Sequence, residues 1–180
     1  MRFTSAFGAV ATFVAVASAQ TNPGDASDAD VAIVAQQLSN VGVAALNLDY
    51  AVTNFTGPSS GPALQSSSND VVTALTNGIS NIQPVQGNIT ITQGVQQLLT
   101  PTNLLNSNVT AAVNDTINRK QLLVDSCYGP TVLSTLNQQY NLSLSFRDAI
   151  ASKFAESNRG LVTSLAAVNR SVELRYWQLL

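Results

Sequence analysis

The 180-residue chain contains no histidine and one cysteine, and 10% of its residues are charged, against a typical ~25%. The missing histidine removes Ser–His and Cys–His nucleophile activation together with the usual zinc ligand sets. A single cysteine, Cys127, excludes a disulfide framework within the chain, so packing must supply the stability. The thiol reads first as a small buried apolar group and second as an intermolecular bridge. Without clusters among the 8 Lys and Arg residues, nucleic acid is excluded as a partner. The same shortage argues against a helix that docks on anionic lipid headgroups.

Other catalytic signatures fail on context. Gly57 to Gly61 matches G-x-S-x-G as text, but a nucleophile elbow needs a preceding strand and a histidine. Here the stretch is a Pro-containing linker between two helical patterns. Acidic residues are scattered: Asp25, Asp28 and Asp30 lie at the start, and Asp148 and Glu156 lie two helical turns apart. A carboxylate pair for glycoside hydrolysis is therefore not encoded locally. The expectation is a protein that is not an enzyme and uses no cofactor or metal.

Residues 1–19 read as a secretory signal peptide: Arg2, an apolar stretch from Ala6 to Ala17, then Ala17-Ser18-Ala19 before Gln20. The stretch falls short of the ~20 residues of a membrane span. The C-terminal VELRYWQLL lacks the pattern of a lipid-anchor signal. The expected location is secreted, extracellular or in a cell wall, with no integral membrane span. Residues 20–29 read as a flexible polar lead-in, and 30–180 as one domain.

What is present instead is amide and hydroxyl: Ser, Thr, Asn and Gln account for 65 of the 180 residues. Against that background Val31, Val34, Leu38, Val41, Ala45, Leu48, Val52 and Phe55 advance by alternating steps of three and four. That is one continuous apolar seam along a helix. Ser27 or Asp28 is placed to cap it, and GPSSGP (residues 57–62) ends it. A second helix carries Leu64, Val71, Val72, Leu75, Ile79 and Ile82 and stops near Pro84. GNITITQG fits either a short extended piece or a third, short helix. Pro101 is expected to open a longer helix with Leu105, Val109, Ala112, Val113, Ile117, Leu123 and Cys127 on its buried side. Gly129-Pro130 closes it and starts another bearing Val132, Leu133, Leu136, Tyr140, Leu144, Phe146, Ile150 and Phe154. A break at Asn158–Gly160 precedes a last helix with Leu161, Leu165, Val168, Val172 and Trp177. The fold class predicted is all-α, a bundle of five or six amphipathic helices without a disulfide.

Six N-x-Ser/Thr sites, at Asn54, Asn88, Asn108, Asn114, Asn141 and Asn169, are candidates for N-glycosylation and would mark solvent-facing positions.

The order DVAIVAQQLSNVGVAALNLDYAVTNF, a Gly/Pro break, a helix, and then YNLSLSFRDAIASKFAESNRGLVTSLAAVN resembles the hydrophobic surface binding protein A family. That secreted fungal family includes antigenic cell-wall mannoproteins. The likeness covers roughly Asp30 to Trp177 and lies in helix layout, signal peptide and the late AIASKF segment; this chain is richer in Asn and Gln. The resemblance implies an all-α domain that adsorbs to hydrophobic material and helps a secreted polyester hydrolase reach it. It also implies kinship with mannoproteins that sequester fatty acids between helices. It supplies no individual ligand contact. Apolar positions on the seams offer a candidate lining for a lipid: Leu38, Val41, Leu75, Ile79, Leu98, Val109, Val113, Leu136, Phe146, Ile150 and Leu165.

A seam of this kind is covered by partner helices, by lipid or by an apolar surface, and bundle core alone explains the spacing. Three classes therefore compete: a lipid-binding or surface-adsorbing protein, a structural cell-wall mannoprotein, and a helical enzyme inhibitor. Inhibitors of the pectin-methylesterase kind carry paired cysteines, which this chain lacks.

Overall fold

The computed structural model describes residues 24–156 and 158. Six helices occur among them: α1 Asp28–Thr53, α2 Gly61–Ile82, α3 Ile91–Gln93, α4 Leu99–Asn118, α5 Lys120–Asp125 and α6 Gly129–Ala151. The all-α expectation holds: the extended pairings among the described residues are two isolated bridges, Asp25 with Asn88 and Ile89 with Phe154.

Helix α1 is the centre. Ser27 caps it, its hydroxyl accepting from the Asp30 amide at 3.1 Å and donating to the Asp30 carboxylate at 2.6 Å. All eight residues of the predicted seam are buried, from Val31 at 0% exposure to Leu48 at 8%. Gln37, Gly42 and Ala44 are buried as well, because α1 is covered on two sides, by α2 and by α4. By length and composition α1 could cross a membrane, with a mean hydropathy of 1.4. Its seam is instead the core of the bundle.

The helices form a row, α4 against α1, α1 against α2, and α2 against α6. Cross-helix bonds give the directions. Gln97 and Arg119 reach Asp28 and Thr53, at opposite ends of α1, so α4 runs parallel to it. Asn81 reaches back to Gln37, so α2 is antiparallel. Gln139 meets Ser68 and Lys153 meets Gln83, so α6 runs parallel to α2.

Amides join each neighbouring pair of helices. Asn81 donates to the buried Gln37 side chain at 3.3 Å. Asn108 donates to the Gly42 carbonyl at 2.9 Å, and Gln139 donates to the Ser68 carbonyl and hydroxyl at 3.0 Å each. Buried polar groups are tolerable when paired like this, and the pairing fixes the axial register of the helices. The Asn and Gln richness of the chain is thus partly internal.

Glycine permits the closest approaches. A Cβ on Gly78 would stand 2.6 Å from the Phe146 ring, and one on Gly61 would overlap the Tyr128 hydroxyl. Two aromatic side chains of the α6 region therefore seat directly on the α2 backbone.

Two cations close helix C-termini. Arg119 donates to the carbonyl of Thr53, the last residue of α1, at 2.7 Å and to that of Phe55, just beyond it, at 3.3 Å. Lys153 donates to the Gln83 and Val85 carbonyls at 2.8 and 2.9 Å, beyond α2. Positive charge at these carbonyls complements the helix dipole.

Several boundaries differ from the sequence reading. The lead-in is tied from Gly24 onward: Asn88 donates to Gly24, Ala26 donates to Asn88, and Ala26 is buried. GNITITQG combines both alternatives, with extended bridges at Asn88 and Ile89, then Thr90 and Gln93 forming a reciprocal cap on α3. Pro101 does not open its helix. Helical backbone begins at Ile91 and passes through a π-helical stretch, Gly94–Leu98, into α4. That widened turn lies just upstream of the proline, which has no N–H for the regular ladder.

The long helix also ends earlier than expected, at Asn118, and α5 follows. Cys127 is neither helical nor buried; it is exposed with φ +63°. It occupies the left-handed position of a Schellman turn, in which Cys127 donates to Val124 and Tyr128 donates to Leu123. Helix α6 ends at Ala151, before the predicted break, and Phe154 is buried beyond it. The signal peptide and the expected last helix lie outside the described residues.

Candidate functional site

Where the end of α1, the start of α2, α5 and the start of α6 converge, a small cleft remains. Its free interior is about 20 Å³, room for about one water. Leu48, Val52, Leu64, Leu123, Val132 and Leu136 form its apolar walls, and Tyr128 stands among them. The Tyr128 ring is held edge-on to Phe55, with centroids 5.6 Å apart at 68°. The Schellman turn at Cys127 aims Tyr128 at this place, and the missing Cβ of Gly61 admits it.

The polar part of the lining is Gln65, Ser68, Thr116, Thr131 and Thr135. None is charged. The Thr116 hydroxyl donates to Ala112 at 2.7 Å, the Thr135 hydroxyl donates to Thr131 at 2.9 Å, and Ser68 accepts from Gln139. Thr116, Thr135 and Ser68 are thus satisfied within the protein, while Gln65 and Thr131 are exposed to solvent.

Most predicted lining residues are elsewhere. Leu136 is at the cleft. Leu38, Val41, Leu75, Leu98 and Phe146 belong to the packed core, with Ile79 and Ile150 half-buried against it. Val109 and Val113 are half-buried on α4, and Leu165 lies outside the described residues. Leu48, Val52, Leu64 and Leu123 line the cleft but were legible only as seam positions. Periodicity marks their apolar side and cannot tell which seam position meets a void.

Beside the cleft, Asp49 follows Leu48 and Asp115 precedes Thr116. Asp49 Oδ1 is buried with no donor to meet it. Burial first, and then the hydrogen bond and charge of Asp115, push the Asp49 carboxyl above its ordinary value. Two carboxylates can bond only when one carries a proton, which is why the neighbouring Asp115 favours the protonated form of Asp49.

Among the described residues no group of three His, Cys, Asp or Glu could hold a metal ion. Of the candidate glycosylation sites, Asn54, Asn88, Asn114 and Asn141 are exposed and Asn169 lies outside the described residues. Asn108 does not have the solvent-facing position expected of it: it is buried, and its amide nitrogen holds the Gly42 carbonyl. A sugar on that nitrogen and this packing exclude one another.

Comparison with known proteins places the fold. The family model described as hydrophobic surface binding protein A matches residues 31–152. Cell wall mannoprotein 1 of Aspergillus flavus is 31% identical over 122 residues, which is 67% of this chain and 43% of that protein. The chain thus spans less than half the length of this curated relative. Ligand binding domain 1 of the Penicillium marneffei MP1 protein, solved with arachidonic acids, superposes with a TM-score of 0.72 at 23% identity. That match covers 80% of this chain and 94% of the domain. Ligand binding domain 2, solved with multiple arachidonic acids, superposes with a TM-score of 0.67 at 16% identity, over 77% and 90% of the two chains. At such identities the solved structures establish the fold. The family-model match, spanning α1 through the end of α6, establishes more: the chain belongs to the hydrophobic surface binding protein A family.

Proposed function

We propose that this protein is a secreted, non-catalytic binder of apolar ligands, which it takes into the cleft between α1, α2, α5 and α6. The carrying observation is that cleft: six aliphatic side chains from all four helices surround a space without a charged group. The family relation supports the reading, as do the arachidonic acids bound by the two MP1 domains.

At about 20 Å³ the space holds no acyl chain as it stands, so binding requires the walls to part. Among the long helices α6 packs mainly along α2, and its N-terminal half is the wall we expect to yield. A long chain buried there gains roughly 0.8 kcal/mol per methylene, against the cost of separating walls and ordering the ligand.

The test is native mass spectrometry of the secreted, enzymatically deglycosylated protein. A co-purifying fatty acid or other lipid is expected. Protein that carries none, and takes up none on incubation with arachidonic acid, refutes the cleft as a ligand site.

A second reading, adsorption to a solid hydrophobic surface, draws on α1. Ile33, Val43 and Tyr50 are exposed at 40, 52 and 57%, and the exposed Gln36, Asn40 and Asn47 between them are uncharged. Close approach of amides to an apolar solid costs less than approach of ions. On this reading the protein depletes onto wax or polyester beads, and recruitment of a secreted polyester hydrolase would appear as co-depletion of that enzyme. A structural cell-wall mannoprotein would stay in the wall fraction and do neither.

A further inference from the structure

We infer that Gln139 is a positioning residue that fixes where the cleft opens. It pins α6 to α2, so that only the turns before it, residues 129–138, part to admit a ligand. This rests on the reading of the cleft as a ligand site and adds the point at which the parting stops.

Polar anchors hold one half of α6 and none holds the other. Just past its C-terminal end, Lys153 donates to the Gln83 and Val85 carbonyls, and its own carbonyl accepts from the Ile89 amide at 2.6 Å. Further back, Phe146 lies on the bare backbone of Gly78. The last anchor is Gln139, 9% exposed, whose amide nitrogen donates at 3.0 Å to both the carbonyl and the hydroxyl of Ser68, itself 9% exposed. Before Gln139 no side-chain hydrogen bond joins α6 to another helix among the described residues. The Thr135 hydroxyl turns back on the Thr131 carbonyl of its own helix.

Burial follows the same division. The buried residues of α6 are Gln139, Phe146 and Ala151, while Val132, Leu133 and Leu136 in its first half are half-buried. The cleft lining runs along α2 as far as Ser68 and along α6 as far as Leu136. The Gln139–Ser68 pair therefore spans the interface at the inner end of the cleft.

The energies decide which half moves. Parting apolar walls loses contacts that an entering apolar chain remakes. Parting Gln139 from Ser68 strips a buried amide nitrogen of both acceptors, and an apolar chain offers it none. The pair stays closed while the walls beside it separate. Thr135 and Ser145, on either side of Gln139, bond the carbonyls four residues earlier, Thr131 and Asn141. Back-bonding of this kind lets a helix bend.

The experiment is hydrogen–deuterium exchange of the full secreted chain, read by mass spectrometry with and without arachidonic acid. In the free protein the amides of residues 131–138 should exchange at least about tenfold faster than those of residues 140–150. Arachidonic acid should slow the first group and leave the second unchanged. Gln139→Leu keeps the bulk and removes the amide, and should carry the ligand's effect on into residues 140–145. A merely structural glutamine would speed exchange throughout the bundle without moving this boundary. If the leucine variant does not fold, Ser68→Ala removes one of the two acceptors and should move the boundary in the same direction by less.

Arachidonic acid that binds but alters all of α6 alike, or none of it, overturns this inference and leaves ligand binding standing. A boundary that stays at residue 139 in every folded variant does the same. A chain that takes up no arachidonic acid overturns the proposed function and this inference with it.

Discussion

Replacing Gly78 with Ala tests how α6 is held. In an ordinary mid-helix site Gly→Ala gains about 1 kcal/mol from backbone entropy. At Gly78 the new methyl would stand 2.6 Å from Cε2 of Phe146 and 3.1 Å from its Cδ2. Phe146 is 4% exposed and its ring is rigid, so it cannot swing into solvent. Overpacking of this kind costs about 1–3 kcal/mol, and the rigid partner places the cost at the upper part of that range. The net expectation is destabilisation by about 1–2 kcal/mol, a fall of roughly 2–8 °C in Tm for a domain of this size.

The control is Phe146→Leu. Alone it destabilises by leaving space over Gly78; combined with Gly78→Ala, the methyl fills part of that space. The double-mutant cycle should therefore show a coupling of about 1–3 kcal/mol. Gly42→Ala supplies the contrast, because its Cβ would meet Leu105 Cα at an ordinary 3.4 Å; it should lie within about 1 kcal/mol of neutral. Reversible urea melts followed by circular dichroism measure all of these. A stabilised Gly78→Ala protein, or an additive cycle, would refute the seating of Phe146 on the α2 backbone.

Three further expectations follow from the same geometry. Asp49 holds its proton to higher pH in the folded chain than its ordinary 3.8, so the folded state binds more protons between those values. Stability contributed by the pair is thus complete below about 3.8 and lost as pH rises through the raised value. Thermal melts should show this loss as pH rises above the ordinary carboxylate range, and Asp49→Asn, whose amide has no proton to lose, should flatten it; an unchanged slope would contradict the raised Asp49 carboxyl. Cys127→Gly should raise stability by about 1 kcal/mol in urea melts, since glycine adopts the left-handed turn conformation without strain, and a loss would argue against the Schellman turn at φ +63°. Glycopeptide mapping of the secreted protein should find Asn108 unmodified, because its amide is buried against Gly42; a sugar there would contradict the α1–α4 packing.

The legible parts of the fold were those set by local rules. The three-four spacing from Val31 to Phe55 gave a helix and its buried face, and every seam position is in fact buried. Gly129-Pro130 announced α6, because proline suits a first turn. Where local rules compete, the outcome was hidden. Pro101 looked like a helix start, yet an upstream π-helical stretch carries the helix past it. Cys127 looked like a seam residue, but the turn after α5 needs a left-handed residue there.

The cleft was less legible still. Its walls are ordinary seam residues, distinguished from the core only by how four helix ends converge. Asn108 shows the same limit: the sequon is a local pattern, and its burial depends on Gly42, 66 residues away. Composition gives the amide and hydroxyl surplus no address, and Gln37, Asn108 and Gln139 join helices inside the bundle.

The most direct test of the account is lipid retention by Leu136→Trp. Leu136 is half-buried at the cleft, and an indole there is larger than the free space of about 20 Å³. Native mass spectra after incubation with arachidonic acid should show bound ligand on the wild-type chain and none on the variant, with circular dichroism unchanged. Retention of the lipid by a folded Leu136→Trp protein would contradict the assignment of the cleft.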